Sequence, residues 1–164
     1  MTRTFILSIL LLFVYGCNKS KSIKRENEPL ILNVESADIT MNKAIEEANQ
    51  TLPEFYKALE SQNKDYYGFG LKMIFKAPDR NEHIWINGLF KKNNEYFGVV
   101  DNLPEFTNEV KQGDTIKVDS NRISDWMYLD NGKLRGGFTI RILREQMTVE
   151  ERQEFDKTSG MIIK

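Results

Sequence analysis

Cysteine and histidine are nearly absent: Cys17 and His83 are the only ones in 164 residues. A single thiol forbids a disulfide within the chain, so the fold must be held by its core. The same scarcity removes structural zinc, which needs several His or Cys ligands. The calcium-loop pattern Asp-x-Asp-x-Asp-Gly is missing around Asp130-Asn131-Gly132. There is no glycine-rich loop to cradle a phosphate, and Ser124, in Ile-Ser-Asp-Trp, lacks the glycine elbow of a nucleophilic serine. No metal, cofactor or ready-made catalytic set is therefore expected. Charge of one sign is also lacking, with 23 basic against 24 acidic residues. Without a basic stripe, a nucleic-acid partner is not expected.

No apolar run is long enough to span a bilayer. The longest, over 5–15, reaches roughly 16 Å as a helix, whereas the hydrocarbon core is about 30 Å thick. With Arg3 before it and small Gly16 after it, this run has the parts of an export signal over residues 1–16. Its end, Val14-Tyr15-Gly16-Cys17, resembles the lipobox of bacterial lipoproteins, with Tyr15 bulkier than the usual occupant of its slot. The resemblance implies that Cys17 becomes an acylated first residue and holds the protein to a lipid bilayer in the cell envelope, facing the periplasm. Several acyl chains, at about 0.8 kcal/mol per buried methylene, make such attachment effectively permanent. Residues 17–29 then read as a polar, flexible tether. Lys19, Lys21, Lys24 and Arg25 outweigh Glu26 and Glu28 there. Setting aside Arg3 and the tether leaves 18 basic against 22 acidic residues, or −4, on a globular body over 30–164.

The body changes period along its length. Apolar positions at Met41, Ile45, Ala48, Leu52, Phe55 and Leu59 follow a helical stripe interrupted by Pro53. Thr51 with Glu54 has the spacing of a capping box, so the reading is a helix pair over 41–49 and 52–61. Period-two alternation begins at Phe69, Leu71, Met73 and Phe75. Turn-forming Pro78-Asp79-Arg80-Asn81 and Lys91-Lys92-Asn93-Asn94 then separate strands over 69–75, 83–90 and 96–100, an antiparallel meander. A short strand is expected over 115–118, and Asn131-Gly132 joins a hairpin of 126–130 with 133–135. A last strand is expected over 138–143. Thr148 with Glu151 opens a C-terminal helix that ends near Gly160. Strands joined by tight turns and bracketed by helices define an α+β class, with a strongly curved or barrel-like antiparallel sheet favoured by glycines within and beside the strands.

Two candidate surfaces follow. Glu82 and His83 are neighbours on a strand and face opposite ways, so they cannot form a dyad. His83 instead shares a face with Trp85 and Asn87. Trp126 and Tyr128 share one face of another strand, with Met127 and Leu129 on the other. If Met127 and Leu129 are inside, Trp126, Tyr128, Asp125 and Arg135 make an amphipathic binding patch; if Trp126 is inside, Asp125 and Arg135 are hydrogen-bonders that hold the fold. The run from Ile123 to Phe138, containing Ser-Asp-Trp-Met-Tyr, Asn-Gly and Gly-Gly-Phe, together with Glu82-His83-Ile84-Trp85 and Leu52-Pro53-Glu54-Phe55, resembles family 2314 of the bacterial domains of unknown function, the YegJ-like domains. The resemblance covers roughly 40–157 and implies a small α+β module with no established reaction. The functional expectation is a non-catalytic binding module for a protein or envelope component, an immunity-type protein that neutralises a toxin being one version. The alternative is a periplasmic hydrolase using Asp125 with Glu82, which requires the fold to bring the two carboxylates into one concave pocket.

Overall fold

The structure, a computed structural model, describes residues 39–164. The expected signal, Cys17 and the tether lie outside the described residues. Helix α1 (Ile39–Glu60) leads into strands β1 (Tyr66–Lys76), β2 (Asn81–Lys92), β3 (Glu95–Val100) and β4 (Thr115–Lys117). Strands β5 (Ile123–Asp130) and β6 (Lys133–Gly136) follow, then helices α2 (Phe138–Glu145) and α3 (Val149–Ser159). The strands form one antiparallel sheet in the order β4-β3-β2-β1-β5-β6, curved but not closed. The α+β class and the antiparallel sheet are as the sequence predicts. The sheet's front carries the core, where α1 lays Ala48, Leu52 and Phe55 onto Leu71, Met73, Ile84, Ile86 and Trp126. Each strand alternates between this face and a back face.

The expected helix pair is one helix, with Pro53 inside it. Proline costs a helix interior about 3 kcal/mol. Here the buried stripe of Met41, Ala44, Ala48, Leu52, Phe55 and Ala58 runs unbroken past it, and burying that stripe outweighs the lost hydrogen bond. Thr51 does not cap a second helix; its hydroxyl donates to the Glu47 carbonyl at 2.7 Å. The indole Nε1–H of Trp126 donates to the Ala48 carbonyl at 2.9 Å, fixing the helix to the sheet one turn before the proline.

The expected strand over 138–143 is helix α2. Phe138, Ile140 and Ile142 alternate with Thr139 and Arg141, but Thr139 and Leu143, four residues apart, are the buried pair. The turn is forced by Gly136 and Gly137, both at positive φ. A Cβ on Gly136 would lie 2.2 Å from the Trp126 carbonyl oxygen, so only glycine fits there. Helix α3 begins with the expected Thr148/Glu151 capping box and stops at left-handed Gly160.

Candidate functional site

The sequence-predicted residues separate onto the two faces of the sheet. On the front, β5, β6, the start of α2 and Glu54 of α1 enclose a cleft of about 320 Å³. Trp126, Tyr128 and Arg135 line it, joined by Tyr66, Phe138 and Arg141, which sequence reasoning missed. Trp126 is only 3% exposed and forms the floor, edge-on to Phe138 at 5.6 Å between ring centroids. Tyr128 is held between Phe69 (5.1 Å) and Trp126 (6.1 Å), with Tyr66 tilted against it at 5.0 Å. Both ring faces of Tyr128 are thus occupied, and its hydroxyl end is what the cleft offers. Neither the Tyr66 nor the Tyr128 hydroxyl has a hydrogen-bond partner among the described residues. Burial raises the Tyr128 phenol above its ordinary value, with Tyr66 adding to the shift. Arg135 stands at the rim, bonded to Asp130 at 2.6 and 3.1 Å, and that bond lowers the Asp130 carboxyl. Arg141 donates to the carbonyls of Leu134 and Gly136, which fixes the β6–α2 corner.

The back face carries a different set. Trp85, Lys72 and Asp125 are register partners across β2, β1 and β5, so they form one row, which continues to Thr139 of α2. All four are buried. Asp125, with no exposure, accepts hydrogen bonds from the backbone N–H groups of Trp126, Phe138 and Thr139 and from the Thr139 hydroxyl, at 2.6 to 3.1 Å. It therefore caps α2 from a distant strand, supplying what Gly137 cannot. Burial raises the Asp125 carboxyl, opposed by the Thr139 hydroxyl and by Lys72. The four hydrogen bonds it accepts favour the carboxylate, against the burial that favours the neutral acid. Lys72 is 7% exposed and its Nζ donates one bond, to Thr139 Oγ1 at 3.3 Å, while lying 5.4 Å from the Trp85 ring centre. Burial pulls its ammonium down and Asp125 opposes the shift.

His83 lies beside this row, Nδ1 2.9 Å from Ser124 Oγ. Burial, then the charge of Lys72, lowers its ring from 6.5 to about 4, so it is neutral at physiological pH. The pair has the distance of a nucleophile and its base. Yet Ser124 is fully buried at a register shift of β5 and also donates to the Lys72 carbonyl at 3.3 Å. The pair closes an internal hydrogen-bond network and offers solvent no nucleophile.

Asp125 and Glu82 do not converge. Glu82 shares the core face with Ile84 and Ile86, and its oxygens accept from the backbone N–H groups of Glu105, Phe106 and Thr107 at 2.7 to 2.9 Å. It pins the 101–114 loop over one end of the sheet, on the opposite face from Asp125. Among the described residues, no group of three or more His, Cys, Asp or Glu could hold a metal ion. Lys72 was hidden because an alternating lysine reads as solvent-facing; its burial follows from a central position between β2 and β5.

Residues 38–162 match the family described as "Uncharacterized protein conserved in bacteria", DUF2314. The chain belongs to this family. Among curated relatives, a protein of Neisseria meningitidis serogroup B named "Putative ankyrin repeat protein" is 34% identical over 142 residues, covering 82% of this chain and 56% of its own length. The chain thus spans little more than half of that relative. The uncharacterized protein YegJ of Escherichia coli K12 is 31% identical over 114 residues, covering 70% of this chain and 73% of its own. No solved structure matches the chain.

Proposed function

We propose that this DUF2314 chain is a lipid-anchored binding module of the bacterial cell envelope, facing the periplasm, which engages a protein or envelope component through the cleft at Tyr66, Tyr128 and Arg135. The observation that carries the reading is the convergence of two phenol hydroxyls without partners among the described residues and an arginine at the rim of an aromatic-floored cleft. Tyrosine and arginine are the residue types in which binding energy concentrates. Separation of Asp125 from Glu82 across the sheet weighs against the carboxylate hydrolase. The resemblance of Val14-Tyr15-Gly16-Cys17 to a lipobox supports the envelope location.

Arg135→Glu tests the cleft. Its side chain is 52% exposed and its ion pair with Asp130 lies at the surface, so a thermal melt by circular dichroism checks that the variant folds. Crosslinking capture from intact cells falls at least about tenfold, the loss of roughly 1.4 kcal/mol of affinity. Unchanged capture by a stably folded variant overturns the cleft reading. Membrane fractionation of Cys17→Ser tests the anchor, which fails if the variant and the parent pellet equally.

A further inference from the structure

The β2–β3 hairpin is shaped by an irregularity. Asn87 pairs with Val99 and Phe90 with Phe97, so Gly88 and Leu89 together oppose Gly98. Gly88 takes a φ of 57°. One extra residue reverses the alternation of a strand. Leu89 turns into the core against Gly98, where an added Cβ would come within 2.8 Å of it. Phe90 turns out to the back face instead, where it is 45% exposed and stacks on Phe97 at 5.7 Å. Lys92 follows on the same side as Phe90. Lys91 and Tyr96 point to the other face and both bond Glu60, and Lys117, the register partner of Phe97, is paired with Glu95. Lys92 stands directly across the strands from Glu95, whose carboxylate bonds Lys117, so the two lysines share one carboxylate on this face.

We infer that this hairpin end is a second, weak membrane contact: Phe90 and Phe97 settle at the headgroup level of an anionic bilayer with Lys92 on the lipid phosphates. Single exposed apolar residues are ordinary. Two stacked rings beside two lysines that share one carboxylate, displayed by a bulge that spends a glycine to turn Phe90 outward, have the composition of an interfacial anchor. The body carries −4, so an anionic surface repels most of it and favours contact at a basic end. The patch is too small to hold a protein alone. It rests on the lipid-anchor reading for its proximity, because a tether turns a weak contact into an intramolecular one. The 22 residues from Cys17 to Ile39 span at most about 75 Å fully extended, which leaves the hairpin within reach of the bilayer.

The test uses the full chain carrying Phe90→Trp, purified in its acylated form and reconstituted into vesicles of phosphatidylcholine and phosphatidylglycerol with brominated acyl chains. The native Trp85 and Trp126 are buried, so the parent chain sets the baseline. The variant is quenched at least about twofold more than the parent, and adding Lys92→Glu or raising the salt lowers that difference, as surface electrostatics require. Equal quenching of variant and parent overturns the inference. Shielding of the introduced indole from an aqueous quencher by a captured protein, and not by vesicles, also overturns it. If mass spectrometry finds Cys17 bare, the anchor reading falls separately; the unacylated chain is then titrated with excess vesicles, where quenching keeps the hairpin contact and its absence removes it.

Discussion

The two faces of one sheet solve opposite problems. On the front, Trp126, Phe55, Leu71 and Ile86 bury apolar surface, and the single polar atom of Trp126 finds the Ala48 carbonyl. On the back, at the same strand positions and one residue away, Asp125 and Lys72 are buried with their polar ends inside. Burying apolar area drives folding directly. Burying a charge helps only when every bond it loses to water is replaced. By that measure the back row is lopsided: Asp125 accepts four bonds, whereas Lys72 donates one. Asp125 belongs with the fold, and Lys72 is tolerated by it.

The largest effects separate the faces by what rescues them. Trp126→Ala empties the front core and costs about 4 kcal/mol in urea unfolding. Trp126→Phe restores most of the ring contacts and recovers more than half of that loss. Asp125→Ala leaves the start of α2 without its acceptor and Lys72 without its counter-charge, costing about 3–5 kcal/mol. No apolar substitute recovers it, because Phe138 and Thr139 still present N–H groups. If Asp125→Leu matches the parent in urea, the contrast between the faces collapses.

How much of this was legible in the sequence follows the same divide. Period-two alternation located β1 from Phe69 to Phe75, and the turn residues beside β2 and β3 located those strands, whose alternation is blurred by Trp85, Phe97 and Val99 on the back face. Asn131-Gly132 placed the β5–β6 turn, and Thr148 with Glu151 placed α3. What escaped depended on partners far along the chain. Pro53 reads as a helix boundary until the stripe beneath it meets the sheet. Residues 138–143 read as a strand because the cap of α2 comes from Asp125, thirteen residues before Phe138. In the cleft, Trp126, Tyr128 and Arg135 were legible as neighbours within one hairpin, but Tyr66, Glu54 and Arg141 arrive from three other elements.

A medium effect comes from pH. The unfolded-state His83 ring titrates near 6.5 and the folded one near 4, so the unfolded chain binds the extra proton first. Its contribution is complete above about pH 6.5, is lost as pH falls toward 4, and levels off below that, for a total of up to about 3 kcal/mol. His83→Gln keeps a partner for Ser124 and does not titrate. Urea midpoints of parent and variant therefore diverge between pH 7 and pH 4.5, with the variant the flatter of the two. Parallel curves place His83 in contact with solvent and remove it from the buried back-face network.

The smallest effect is the most discriminating. Removing one member of a buried ion pair ordinarily costs about 3–5 kcal/mol, because the survivor is stranded. Lys72→Met does not strand Asp125, which keeps its four donors and stays at the N-terminal end of α2, where the helix favours negative charge. Methionine fills the space of the lysine stem and faces Trp85 with a sulfur suited to aromatic contact. The ammonium meanwhile gives up one long bond to Thr139. Stability therefore changes by less than about 1 kcal/mol in either direction, against the several kcal/mol of Asp125→Ala, in the same urea titration. A loss as large as that at Asp125 would make the row a mutual pair that holds the fold. A negligible loss makes Lys72 a lysine the fold does not need.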